Sequence, residues 1–188
     1  MKLNNKRTIL VGLAFLSICA FWQMYDSIVP LILTKTFHMN ETFSGAIMAA
    51  DNILALFLLP FFGSVSDKSH SKLGKRMPFI LFGTGCAIIL MNILPLLDNS
   101  YAAQPSGFKT ASFVIVLGLL LVAMGTYRAP AVALMPDVTP KPLRSRANAI
   151  INLMGAVGGI LYLGVAAVLY PNSKTAGVEH VNYQPLFI

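Results

Sequence analysis

The sequence predicts an all-α integral membrane protein with about five transmembrane helices and a cytoplasmic N-terminus. Three observations carry that prediction. Of the 188 residues, 56% are hydrophobic and 11% are charged, against about 45–50% and about 25% in soluble domains. Five apolar runs are each long enough to cross a bilayer, which takes about 20 helical residues. The cations gather between alternate runs, with the bias expected of cytoplasmic loops.

The first run, Thr8 to Leu33, follows Lys2, Lys6 and Arg7. A signal peptide has an apolar core of only about 7–15 residues, so this run is read as a retained helix. The breaker His38-Met39-Asn40-Glu41 separates it from the second run, Phe43–Val65. A charged stretch containing Asp67, Lys68, Lys72, Lys75 and Arg76 leads to the third, Met77–Leu97. Asp98-Asn99-Ser100 through Pro105-Ser106-Gly107 reads as the next connection, followed by Ala111–Pro136. Asp137 through Arg146 then leads to the fifth run, Ala147–Tyr170. All five are too long and too uniformly apolar for barrel strands, which alternate. Pro171 to Ile188 reads as an external loop, with Pro185-Leu186-Phe187-Ile188 as the start of an unfinished sixth helix.

An inside N-terminus places ten cations in the cytoplasm: Lys2, Lys6, Arg7, Lys68, Lys72, Lys75, Arg76, Lys141, Arg144 and Arg146. Only Lys35, Lys109 and Lys174 fall outside, and Arg128 lies within the fourth run. The net charge of +7 does not indicate nucleic-acid binding, because the cations alternate with apolar runs. Cys19 and Cys86 both sit inside such runs, which argues against a disulfide. His38, His70 and His180 occupy separate connections without metal-ligand spacing. No cofactor or metal is expected, and no enzymatic cluster is apparent.

Ionisable residues at membrane depth are costly and are functional candidates. Asp26, Asp51 and Arg128 are the three here, and all can face one central cavity. Desolvation favours the protonated form of a carboxylate at such depth unless a cation sits beside it. Asp51 is therefore a candidate proton carrier with Arg128 as its partner; a fixed structural ion pair is the alternative. Trp22, Gln23, Tyr25 and Asp26 combine aromatic faces with polar groups, a set suited to sugar rings and their hydroxyls. Helix packing with an interfacial aromatic anchor is the competing reading. Asn148, Asn152, Gly155 and Gly159 share one face of the fifth helix, where Gly155-x-x-x-Gly159 favours close packing over solute contact.

In the loop after the second helix, Gly63 and Asp67 form G-x-x-x-D, and Gly74 supplies a turn. Gly63 would let two helices approach closely, Asp67 can pair with an arginine or with the N-terminal dipole of a neighbouring helix, and Pro78 suits a first helical turn. This pattern resembles the signature loop of the major facilitator superfamily. Gly74-Lys75-Arg76-Met77-Pro78-Phe79-Ile80 is similar to the G-[RK]-R-x-P-F-I of its sucrose-transporter-like and glycoside–pentoside–hexuronide branches. Those branches share the longer spacing, with the second glycine seven residues after the aspartate and not three. Arg128-Ala129-Pro130 through Asp137, then Arg144 through Ala149, resembles the sucrose-transporter pattern R-x-P-x-x-A-L-x-x-D…R-x-x-A-N-A.

The resemblance covers the N-terminal half of such a transporter, an incomplete six-helix bundle. It implies secondary sugar transport, of a glucoside or disaccharide, by cation symport. Substrate-binding candidates are Trp22, Tyr25, Asp26, Arg128 and Asn152, with Asp51 and Asp137 in ion coupling. The gating loop would comprise Gly63, Asp67, Gly74, Arg76, Arg144 and Arg146. Asp137 is equally readable as a helix-end partner of Arg144 or Arg146. Arg128, without a mid-helix acid beside it in the fourth helix, favours a proton over sodium as the coupling cation. Ala156 stands where antiporters carry a proline, which favours symport. The implied partners are a sugar, a proton, the bilayer of the cell membrane, and a C-terminal half or second copy. The competing reading is a truncated fragment or small membrane subunit that does not transport.

Overall fold

The computed structural model describes residues 5–71, 74–171, 178 and 180–187; the side chains of residues 5–7 and 51 are outside that description. It contains five long helices: α1, Asn5–Leu31; α2, Glu41–Lys68; α3, Met77–Ala103; α4, Gly107–Val138; and α5, Arg144–Leu169. A wider π turn, Ile32–Thr36, continues α1. All five are long and apolar enough to cross a membrane. The expected external segment and sixth-helix start fall partly on residues 172–177, 179 and 188, which lie outside the described residues.

α4 is the hub. It packs against α1, α2, α3 and α5, and its buried side chains Phe113, Leu117, Leu120 and Met124 recur at helical spacing. Tyr25 and Val29 from α1, Ile32 and Leu33 from the π turn, and Leu94 from α3 complete this core. α2 and α5 instead turn Leu56, Phe57, Phe61, Ile160 and Val168 outward. Lipid tails solvate such faces as well as leucine does, so close helix contacts depend on small residues. A Cβ on Gly158 would collide with the Leu16 carbonyl, and one on Gly155 would lie 2.8 Å from Cys19 Sγ. On the other flank, a Cβ on Gly83 would lie 2.9 Å from the Tyr127 backbone nitrogen.

The close α1–α5 approach expected from Gly155 is present, but its second glycine is Gly158. Gly159 has only ordinary contact, with Gln23 Oε1 at 3.7 Å from its added Cβ. Gly63 differs more. Nothing lies within 4 Å of a Cβ placed there, so no described helix makes close contact at that point. The helices also run past the expected ends. α3 continues through Asp98-Asn99-Ser100 to Ala103 because Lys109 Nζ donates to the carbonyls of Ser100 (2.8 Å) and Gln104 (2.9 Å). A cation at a helix C-terminus complements its dipole and satisfies otherwise orphaned carbonyls.

Candidate functional site

Two arginine-centred arrangements stand out. The first lies between α1 and α4, where α1 presents Trp22, Tyr25 and Asp26 within about one turn. The Arg128 guanidinium of α4 sits over the Trp22 ring, 4.6 Å from its centroid. Such stacking is worth about 2 kcal/mol or more when desolvated. The Tyr25 ring meets the Trp22 ring edge-on at 5.6 Å. Leu54, Ala55 and Leu58 of α2 and Gly125 of α4 close the space around Trp22 and Arg128. Asp26 is exposed on α1 and within electrostatic reach of Arg128.

Arg128 makes no ion pair within 4 Å among the described residues; its close partner is the Trp22 ring. The predicted partner Asp51 lies on α2, and its side chain is outside the described residues. Tyr25 is 1% exposed, and in this arrangement its ring packs edge-on against Trp22. Asn152 is apart from the cluster. It is exposed on α5 and lines a separate groove with Phe15, Met135, Pro136, Arg144 and Asn148.

The second arrangement lies at the end of the bundle that carries Lys68, Lys75, Lys141, Arg144 and Arg146, here termed the basic end. Asp67 and Asp137 each sit one residue before the C-terminus of their helices, α2 and α4. A carboxylate there opposes the helix dipole. Arg76 offsets both: its Nη2 donates to Asp67 Oδ1 at 2.9 Å and its Nε to Asp137 Oδ2. The Arg76 side chain is only 12% exposed, so one guanidinium ties the ends of α2 and α4 together. Gly74, at φ +99°, supplies the left-handed turn that aims Arg76 back at Asp67.

Asp137 therefore pairs with Arg76, and not with Arg144 or Arg146. Arg144 instead donates to the carbonyls of Pro136 (2.9 Å) and Thr139 (3.3 Å), capping the end of α4. Arg146 is exposed. Of the gating-loop candidates, the structure joins Asp67, Gly74 and Arg76 with the coupling candidate Asp137, and leaves Gly63 and Arg146 outside the cluster.

The end of the bundle opposite the basic end holds a cluster that the sequence did not single out. Asp98 of α3 is 0% exposed, and His180 and Asn99 bond beside it. The signal was present in Asp98-Asn99, but polar residues after an apolar run read as a loop.

The sequence model of the Major Facilitator Superfamily matches residues 11–178. The chain belongs to the Major Facilitator Superfamily. As a member it is a multi-pass membrane protein of a transporter family, not an enzyme family. It is 35% identical over 158 residues to a sucrose transport protein of Arabidopsis thaliana, covering 78% of this chain and 26% of that protein. A sucrose transport protein of Oryza sativa subsp. indica is 36% identical over 154 residues, covering 74% and 30%. The alpha-ketoglutarate permease of Escherichia coli (strain K12) is 25% identical over 179 residues, covering 94% and 38%. The chain thus spans between about a quarter and two fifths of the length of these relatives. No solved structure matches it.

Proposed function

We propose that this chain carries the N-terminal helices of a secondary sugar transporter in the cell membrane, with the basic end in the cytoplasm. The single observation that supports sugar as the solute is the Trp22–Arg128 stack beside Asp26. An aromatic face covers the apolar face of a pyranose. An arginine and a carboxylate on the same side bond its hydroxyls, and charge-assisted bonds of this kind are the strong ones. Likeness to two sucrose transport proteins supports a disaccharide or glucoside.

The coupling cation in this reading is a proton, carried by Asp26 or Asp51 and released as Arg128 changes partner. Asp67, Arg76 and Asp137 act as a cytoplasmic clamp that opens when the substrate leaves inward. The domain plan is transmembrane helices over residues 1–170, then an external segment and the beginning of a sixth helix over 171–188. Substrate sites in such transporters lie at the interface of repeat-bearing halves, so a C-terminal half or second copy completes the site.

The test is uptake of radiolabelled sucrose into proteoliposomes under an inward proton gradient. Gradient-dependent accumulation that is lost in Arg128→Ala supports the reading; accumulation unchanged in that variant sinks the sugar site.

A further inference from the structure

The last described segment, 180–187, folds back onto the ends of α1 and α3 opposite the basic end. Tyr183 and Phe187 are buried there, and the Tyr170 hydroxyl donates to the Asn182 carbonyl at 2.7 Å. Beneath this segment lies Asp98, with 0% exposure and, among the described residues, no hydrogen-bond partner within 3.5 Å for either carboxylate oxygen. The Thr36 hydroxyl and the His180 ring both lie beside it. An unpartnered buried carboxylate is costly, and the neighbouring bonds show what relieves it.

Those bonds fix the proton positions around His180. The Gln184 backbone N–H donates to Asn182 Oδ1 at 2.9 Å, so that atom is an acceptor. Asn99 Nδ2 donates to the same oxygen at 3.0 Å, which leaves Asn99 Oδ1 as an acceptor for His180 Nε2, also at 3.0 Å. Nε2 therefore carries its hydrogen in every state, and Nδ1 is the nitrogen that gains or loses one. Nδ1 faces Thr36 Oγ1 at 3.3 Å. With Nδ1 bare, the Thr36 hydroxyl donates to it and is turned from Asp98. With Nδ1 protonated, the ring donates to Thr36 Oγ1, and the hydroxyl hydrogen is released towards the carboxylate.

We propose that Asp98, Thr36 and His180 form a proton-binding site that latches segment 180–187 onto α1 and α3. One proton bound to the Asp98–His180 pair gives the buried carboxylate both an opposite charge and a donor. Its loss leaves a bare carboxylate under a neutral ring, and the segment loosens. Among the described residues, the other titratable groups near the pair are Tyr183, which faces Asp98, Tyr170, which packs against Tyr183, and Lys35, His38 and Tyr101, which share a groove with Thr36 and His180. Burial, then Asp98 and Tyr170, push the Tyr183 phenol up, so it stays neutral when the latch operates. The sign follows from the geometry: a proton on the pair gives Asp98 its donor and opposite charge only while the segment is docked, so docking is stronger in acid and weakens as pH rises.

Hydrogen exchange of the peptide spanning 180–187 tests this in the intact chain, with rates corrected for intrinsic pH dependence. Wild-type protection should fall between pH 5.5 and pH 8, by about tenfold for each unit of proton affinity gained on docking. Asp98→Asn and His180→Gln should each remove that dependence, and His38→Gln should keep it. Equal wild-type protection at the two pH values overturns the proposal. So does an unchanged pH response in His180→Gln, which remains decisive if Asp98→Asn does not fold.

Discussion

Arg76 and Arg128 are both partly buried arginines on a membrane bundle, and their surroundings differ in a telling way. Arg76 touches two carboxylates that end two helices, so its charge is matched and its position fixed from both sides. Arg128 touches an aromatic face, and no carboxylate lies within 4 Å among the described residues. A matched guanidinium holds elements together and offers little to a ligand. One that rests on a ring keeps its donors for whatever enters the cavity, because ring stacking uses the face and leaves the edge N–H groups available. The difference separates a part that positions helices from a part fit for binding.

The comparison breaks most severely if the scaffold that holds Trp22 opposite Arg128 is forced apart. Gly158→Leu drives a side chain into the Leu16 backbone. It should cost about 3 kcal/mol or more, read as loss of folded protein by size-exclusion chromatography in detergent. Next in size is Arg128→Ala. Removing a charge-assisted contact worth about 3 kcal/mol should cut sucrose uptake by roughly 100-fold, with membrane insertion intact. An insertion defect would instead make Arg128 a structural residue.

Arg76→Ala should act on stability and leave solute recognition alone. It leaves two carboxylates at helix C-termini, both half-exposed, for a loss of about 1 kcal/mol by thermal unfolding. Asp67→Asn and Asp137→Asn should each cost less than that, and both together should make Arg76→Ala nearly neutral. Trp22→Phe keeps an aromatic face with a weaker pull on the cation. Uptake affinity should fall about fivefold, in line with a loss of about 1 kcal/mol, and stability should hold.

The five spans were legible because a bilayer fixes the apolar length of a helix, and Thr8–Leu33 or Phe43–Val65 meet it by count. Their ends were not, since Asp98 and Asn99 look like loop residues until Lys109 is seen closing α3. That Asp67 could pair with an arginine was readable from the sequence, but that the arginine is Arg76 emerges only with the turn at Gly74. Asp137 could not be assigned to Arg76 either, as 61 residues separate them and Arg144 is much nearer in sequence. Gly158 over Gly159, and the core position of Tyr25, depend on the rotation of α1 against α5. Residue spacing along either helix alone does not set that rotation. His180 meets Thr36 across 144 residues, a contact with no local pattern.

Trp22 is the chain's sole tryptophan, so its fluorescence reports the binding cluster without labelling. The most direct measurement is a sucrose titration of that emission in the wild type, Arg128→Ala and Arg76→Ala. Sugar bound beside the Trp22–Arg128 stack predicts a saturable change in the wild type, kept in Arg76→Ala and lost in Arg128→Ala. No change in the wild type, or the same change in both variants, would contradict it.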